Sequence, residues 1–169
     1  MGLNESNHEK IVNTLNEQFN NAVLKQEIHY DMFTITLRKD AVIPSIKWLY
    51  DSEEFKFRFL TTMCGLHYPN QKEELGMMYQ LHSLENNYHI RIKTFFTKDM
   101  AVMPTLTGIF NAANWMERQE YDFFGIEFKG HPNLKRILNV DDMIMHPMRK
   151  EFPLEDQTRK DKNDSMFGR

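Results

Sequence analysis

Hydrophobic positions along the chain change period several times, and each change marks an element. Ile11, Val12, Leu15, Phe19, Ala22 and Val23 recur at helical spacing behind Ser6-Asn7-His8-Glu9, which has the form of a capping box. An amphipathic helix is therefore predicted over residues 7–24. Residues 27–37 then alternate, with Phe33, Ile35 and Leu37 on one face between Thr34 and Thr36, as in a half-buried strand. Pro44 suits the first position of a short second helix carrying Ile46, Trp48, Leu49 and Tyr50. Strict alternation in "FKFRFL" predicts a strand with Phe55, Phe57 and Phe59 facing inward. The segments "MMYQLHSL" and "YHIRIKTFF" read as two further strands joined at an Asn86-Asn87 turn. Beyond them Pro104 leads a long predicted helix with Leu106, Ile109, Phe110, Ala113 and Met116, capped at its far end by Gly125.

Helix, strand, helix, three strands and helix predict an α+β fold, a mixed, largely antiparallel sheet with helices packed on it. The pattern fades from about residue 125, where prolines 132, 147 and 153 interrupt a stretch with few periodic apolar positions. An extended, irregular C-terminal arm is expected there. The predicted division is a core domain over 1–125, a partner-binding arm over 126–155 and a solvated tail over 156–169.

Composition narrows the chemistry. A chain of 169 residues is the size of one domain, and its net charge of −3 is spread over mixed signs. The basic pairs Lys135-Arg136, Arg149-Lys150 and Arg159-Lys160 alternate with acids, which speaks against a nucleic-acid partner. No apolar run is long enough to span a bilayer, so membrane association is expected only through a partner. The single cysteine, Cys64, fits a reducing compartment and cannot hold an iron–sulfur cluster, which needs about four thiolates. Cys64 with a remote histidine is a possible nucleophile pair, although such a cysteine is more often a small buried hydrophobe. No phosphate loop or dinucleotide fingerprint is present. His82 and His89 flank the predicted hairpin; with His67 they define a remote alternative, a stand-alone metalloenzyme.

The densest stretch is "ERQEYDFFGIEFKGHPNLKRIL", residues 117–138. On a helix, Arg118 and Asp122 lie at i and i+4 and are expected to pair, with Glu117 and Tyr121 on a neighbouring stripe. Gly125 and Gly130 permit tight turns, and His131-Pro132 begins an extended segment. The block "HPMRKEFPLE" repeats the scheme of proline, basic pair and apolar anchor. Phe128, Leu134, Ile137, Leu138, Met148, Phe152 and Leu154 have no period that buries them locally. Such a segment suits wrapping over a partner, mobile until it docks.

These blocks closely resemble the signature of the thirty-kilodalton subunit family of the respiratory NADH:quinone oxidoreductase (complex I). The resemblance rests on Glu117, Arg118, Asp122, Gly125, Ile126, Phe128, Gly130, His131, Pro132, Leu134 and Arg136-Ile137-Leu138, then His146, Pro147, Arg149, Lys150 and Phe152-Pro153-Leu154. It is strong over about 104–155. Three positions depart from it: Gln119 stands where the family has an acid, Met145 where it has glycine, and Met148 where it has leucine. The resemblance implies a non-redox structural subunit of the peripheral arm, with no catalytic centre and no cofactor on this chain. Flavin and iron–sulfur clusters would sit on partner subunits. The implied partners are the large quinone-site subunit and iron–sulfur subunits, on the cytoplasmic side of a bacterial cell membrane. The signature residues from Glu117 to Lys150 would serve that interface. The implied alternative is the homologous subunit of a membrane-bound energy-converting hydrogenase.

Overall fold

The computed structural model describes residues 5–152, so Leu154 and the expected tail lie outside the described residues. Helix α1 (Glu5–Gln18) buries Ile11 and Leu15 and ends well before residue 24; Ser6 lies inside it rather than capping it. Asn20 and Asn21 stop it, with φ of 52° and 54° in the left-handed region that asparagine tolerates. Val23 therefore opens a strand instead of closing a helix. Strands β1 (Val23–His29) and β2 (Met32–Leu37) form an antiparallel hairpin in which His29 faces Met32. The single strand expected over 27–37 is thus two, split at Tyr30 and Asp31, whose φ values are 49° and 60°. Two successive left-handed residues give the turn that matches strand twist.

Helix α2 (Val42–Asp51) holds Pro44 in its first turn, where a missing N–H leaves no bond unmade. Phe55 and Phe57 are buried as expected, but in a turn where Lys56 has φ of 47°. Phe59 instead opens strand β3 (Phe59–His67) and is 47% exposed, so the alternation that placed it inside stops two residues early. Strands β4 (Leu75–Ser83) and β5 (Tyr88–Phe96) complete a five-stranded sheet of order β1-β2-β5-β4-β3. Its β2–β5 pair is parallel and its other pairs are antiparallel. This is the mixed, largely antiparallel α+β sheet expected.

Strand β6 (Val102–Pro104) pairs in parallel with β7 (Glu127–Lys129), and helix α3 (Ala113–Phe124) lies between them in sequence. Pro104 ends a strand rather than leading a helix, and α3 starts only at Ala113. Ile126 and Phe128 are buried in the same core as Met103 and Leu106. Core packing therefore runs past Gly125, and Phe128 is a core side chain rather than an arm anchor. Burying a phenylalanine contributes about 1.5–3 kcal/mol, so this strand fixes where the arm begins. Residues 130–152 then run on without helix or strand.

Candidate functional site

Helix α3 presents Ala113, Glu117, Glu120 and Phe124 to the core, at the spacing of one helical stripe, and all four are buried. Two glutamates on an apolar stripe need donors. Glu117 takes the Leu106 N–H and the Thr105 hydroxyl, each at 2.6 Å, and so closes the loop before its own helix. Burial pushes its carboxyl up, while those two bonds and the neighbouring His131 pull it down. Glu120 takes the backbone N–H of Gly65 on β3. Burial raises the Glu120 carboxyl to about 7 against that bond. An added Cβ at Gly65 would lie 2.7 Å from Phe124 Cγ, so glycine is what lets α3 approach the strand.

Asp122 faces the arm. Its carboxylate accepts the N–H groups of Ile137, Leu138 and Asn139 at 3.2, 2.9 and 3.0 Å and the Asn139 side-chain amide at 3.0 Å. It also pairs with Arg136 at 2.7 Å, where the two side chains are 0% and 9% exposed. Burial alone would raise its pKa, but the bonds from Asn139, Leu138 and Arg136 together outweigh it and hold the carboxyl far below the usual carboxylate range. Arg136 also donates to the Asp122 carbonyl and to the carbonyls of Met143 and Met145, so one guanidinium ties two arm segments to the helix end. Asp122 pairs with Arg136, not with Arg118. Arg118 lies over the Trp115 ring and donates to the Lys135 and Arg136 carbonyls at 3.1 and 3.3 Å.

The arm also completes the end of α3. A helix leaves its last four carbonyls without internal partners. Here Tyr121 accepts from the Gly125 N–H, Asp122 from Arg136 and His146 Nδ1, Phe123 from the Met148 N–H, and Phe124 from Arg149 Nε at 2.7 Å. Basic groups at this pole also suit the helix dipole. Gly125 makes the approach possible: its φ is 67°, and an added Cβ would strike the His146 ring and lie 2.8 Å from Arg149. Burial, with Arg149 and Arg136 nearby, holds His146 below its usual value against the bond to Asp122.

His131 donates from Nε2 to the Asn114 carbonyl at 3.0 Å and accepts the Asn133 N–H at Nδ1, fixing the turn after β7. Lys150 contributes its backbone N–H, 2.9 Å from His67 Nδ1, and leaves its side chain in solvent. Pro132 is exposed and Pro147 half-buried; neither can donate a backbone bond. The structure thus gathers Asp122, Gly125, Arg136, His146 and Arg149 at one helix end, with Arg118 beside it. His131 and Lys150 bind elsewhere along the same strap, while Glu117 binds the loop before α3 at Thr105 and Leu106. Sequence reading missed Glu120, Thr105, Asn139 and the hydrogen bond that His67 makes to the arm. Helical spacing from Ala113 would have found Glu120; the other three are joined only by the tertiary fold.

The remaining candidates separate. His82 lies opposite His89 across the hairpin, their rings stacked at 3.9 Å, whereas His67 pairs with Leu75 at the far end of β3 and β4. Among the described residues no three His, Cys, Asp or Glu side chains are grouped to hold a metal. Burial and then the Glu120 charge push the Cys64 thiol up, away from the thiolate that a nucleophile requires.

A buried acid and guanidinium at a helix end fasten an irregular strap to the core. The family model described as "Respiratory-chain NADH dehydrogenase, 30 Kd subunit" matches residues 35–158. The chain belongs to this family. It is 37% identical over 146 residues to an NADH-quinone oxidoreductase subunit of Citrifermentans bemidjiense, covering 86% of this chain and 89% of that one. The NADH-quinone oxidoreductase subunit of the same name in Geotalea uraniireducens is 33% identical over the same share of this chain and 88% of its own. The chain covers 44% of a mitochondrial NADH dehydrogenase (ubiquinone) iron-sulfur protein 3 from Candida albicans, at 37% identity over 73% of its own length. Two solved structures share the fold. A trypsin-resistant fragment of Nqo5 superposes with a TM-score of 0.64 at 23% identity, over 75% of this chain and 98% of the fragment. A chain of an archaeal membrane-bound sulfane sulfur reductase gives 0.71 at 24%, over 88% and 86%.

Proposed function

We propose that this chain is a non-redox structural subunit of the peripheral arm of a proton-translocating NADH:quinone oxidoreductase. It holds the large quinone-site subunit and iron–sulfur subunits in place while electrons pass to quinone. The observation that carries this reading is the inversion of the arm. Its Arg136, His146 and Arg149 turn inward to α3, while Leu138, Val140 and Ile144 stand outward, Ile144 at 94% exposure. A strap left to water would have the opposite arrangement. The chemistry supports a positioning role, because the buried carboxylates of α3 are taken up by donors of the same chain. The arm meets the quinone-site subunit through its apolar ridge, with Lys150 reaching acids there. Membrane attachment comes through the complex, since no helix among the described residues is long and apolar enough to cross a bilayer. The chain lies on the cytoplasmic side of the cell membrane. The quinone-linked names of the relatives at 37% and 33% identity favour this reading over the hydrogenase-type alternative.

Ile144→Asp tests the reading without disturbing the core. The purified variant should keep the unfolding midpoint of the parent, yet a tagged copy should no longer bring the quinone-site subunit out of solubilised membranes. Normal recovery of that subunit with the variant would defeat the proposal.

A further inference from the structure

The sheet has two faces, and the helices use one. In β4 and β5, Met77, Tyr79, Leu81, Ile90 and Ile92 are fully buried toward the helices. The residues alternating with them project from the opposite face. At its middle stands Arg91, opposite Gln80 on β4 and Thr34 on β2. Its guanidinium has a single 3.4 Å bond to Gln80 Oε1, and its Nε is buried with no hydrogen-bond partner. Lys93 follows on the same face, and Lys25 and Glu27 reach it from β1 through the neighbouring threonines of β2. Glu27 is already shared by Lys25 at 2.6 Å and Lys93 at 3.6 Å. Three cations against one acid leave this patch at +2, on a chain whose net charge is −3. Beside Arg91, the stacked His82 and His89 rings bury Nε2 and Nδ1 respectively without partners.

Antiparallel sheets often leave one face in water, and such a face solvates its polar groups. This one does not, because three of its nitrogens are shielded and unsatisfied. An under-bonded guanidinium with Lys93 and Lys25 in the next cross-strand row is the geometry that a row of carboxylates completes. Met78 and Phe95 on the same face add apolar contact, which a polypeptide uses and a bare anion does not. We propose that this face is a second docking surface, which takes an acidic segment of a neighbouring protein and seats one carboxylate on Arg91. Its local charge, opposite to that of the molecule, orients the approach. The surface is separate from the arm, which is bound to α3 and His67 on the helix side.

Amine footprinting with carboxyl cross-linking tests this in the assembled complex, purified from membranes through a tag on this chain. Lys25 and Lys93 should acetylate severalfold less in the complex than in the isolated chain. A zero-length carbodiimide should join one of them to an aspartate or glutamate of another subunit, and Arg91→Gln should lower the yield of that product severalfold. Equal acetylation in both states overturns the proposal. So does protection without a carboxyl cross-link, or a cross-link only to Glu27 or to a second copy of this chain. Lys150 in the arm is the internal control: if it is protected while Lys93 is not, the arm reading stands and the second surface falls.

Discussion

Glu120 carries a carboxyl on an apolar helix stripe, and its titration should be visible in folding. Burial raises the folded value from 4.5 to about 7. The unfolded chain therefore releases this proton at lower pH than the folded one, so stability falls as pH rises from about 4.5 to about 7. The linked change is about 3 kcal/mol. Glu120→Gln keeps an oxygen for the Gly65 N–H and has no proton to lose. Urea midpoints between about pH 5 and about pH 8 should fall for the parent relative to the variant; parallel profiles would contradict the assignment. Asp122 acts in the opposite direction. Its folded carboxyl lies below the usual 3.8, so its contribution is fully present above that value and is lost as pH falls further. Two acids two residues apart thus bias the helix end in opposite senses.

At the scale of elements, the arm is fastened over 136–139 and again over 146–150, and between them only the Met143 and Met145 carbonyls are held, by Arg136. Amides 137–139 bond to Asp122 and amide 150 to His67, whereas Asp141, Asp142 and Ile144 are exposed. Hydrogen exchange of the isolated chain should show slow amides at 137–139 and 150 and fast ones around 141–145. Asp122→Asn strands Arg136 and should cost about 3–5 kcal/mol, with protection lost at 137–139 but kept in β4 and β5. Uniformly slow exchange through 130–152, unchanged in the variant, would make the arm part of the core and end the docking reading.

The same elements show what sequence could and could not reveal. The β4–β5 hairpin was legible because alternation ran unbroken to an asparagine turn, with Asn87 at φ 54°. The β1–β2 turn was not, because Tyr30 and Asp31 adopt left-handed angles without the glycine or asparagine that usually signals them. Pro104 reads as a helix start, yet its neighbours Val102 and Met103 pair with a strand more than twenty residues later. Helical spacing did not reveal the partner that Asp122 takes. Arg118 is near Asp122 along the helix, while the actual partner, Arg136, comes from the returning arm.

For the molecule as a whole, the proposed division of labour assigns redox chemistry to other chains. The purified chain should therefore show only the absorbance of its aromatic residues. A stoichiometric flavin or iron–sulfur band that survives metal-free purification would reverse that assignment. The sheet's outer strands are treated differently. The β3 edge is covered, with Glu120 on the Gly65 amide and the arm crossing at His67. The β1 edge is open and carries Leu24 and Ile28 in solvent beside alternating charges that discourage edge pairing.

The closure of α3 by residues that follow it has a consequence for synthesis. Asp122 emerges from the ribosome before Arg136, Asn139, His146 and Arg149 exist to meet it. Until they do, the helix ends in open carbonyls beside a carboxylate whose burial is uncompensated. A chain cut short before Arg136 therefore holds its sheet but cannot finish its last helix. The frayed end exposes Phe123 and Phe124, the kind of apolar surface that chaperones and proteases bind. Fastening of the arm thus reports that translation has passed Arg149.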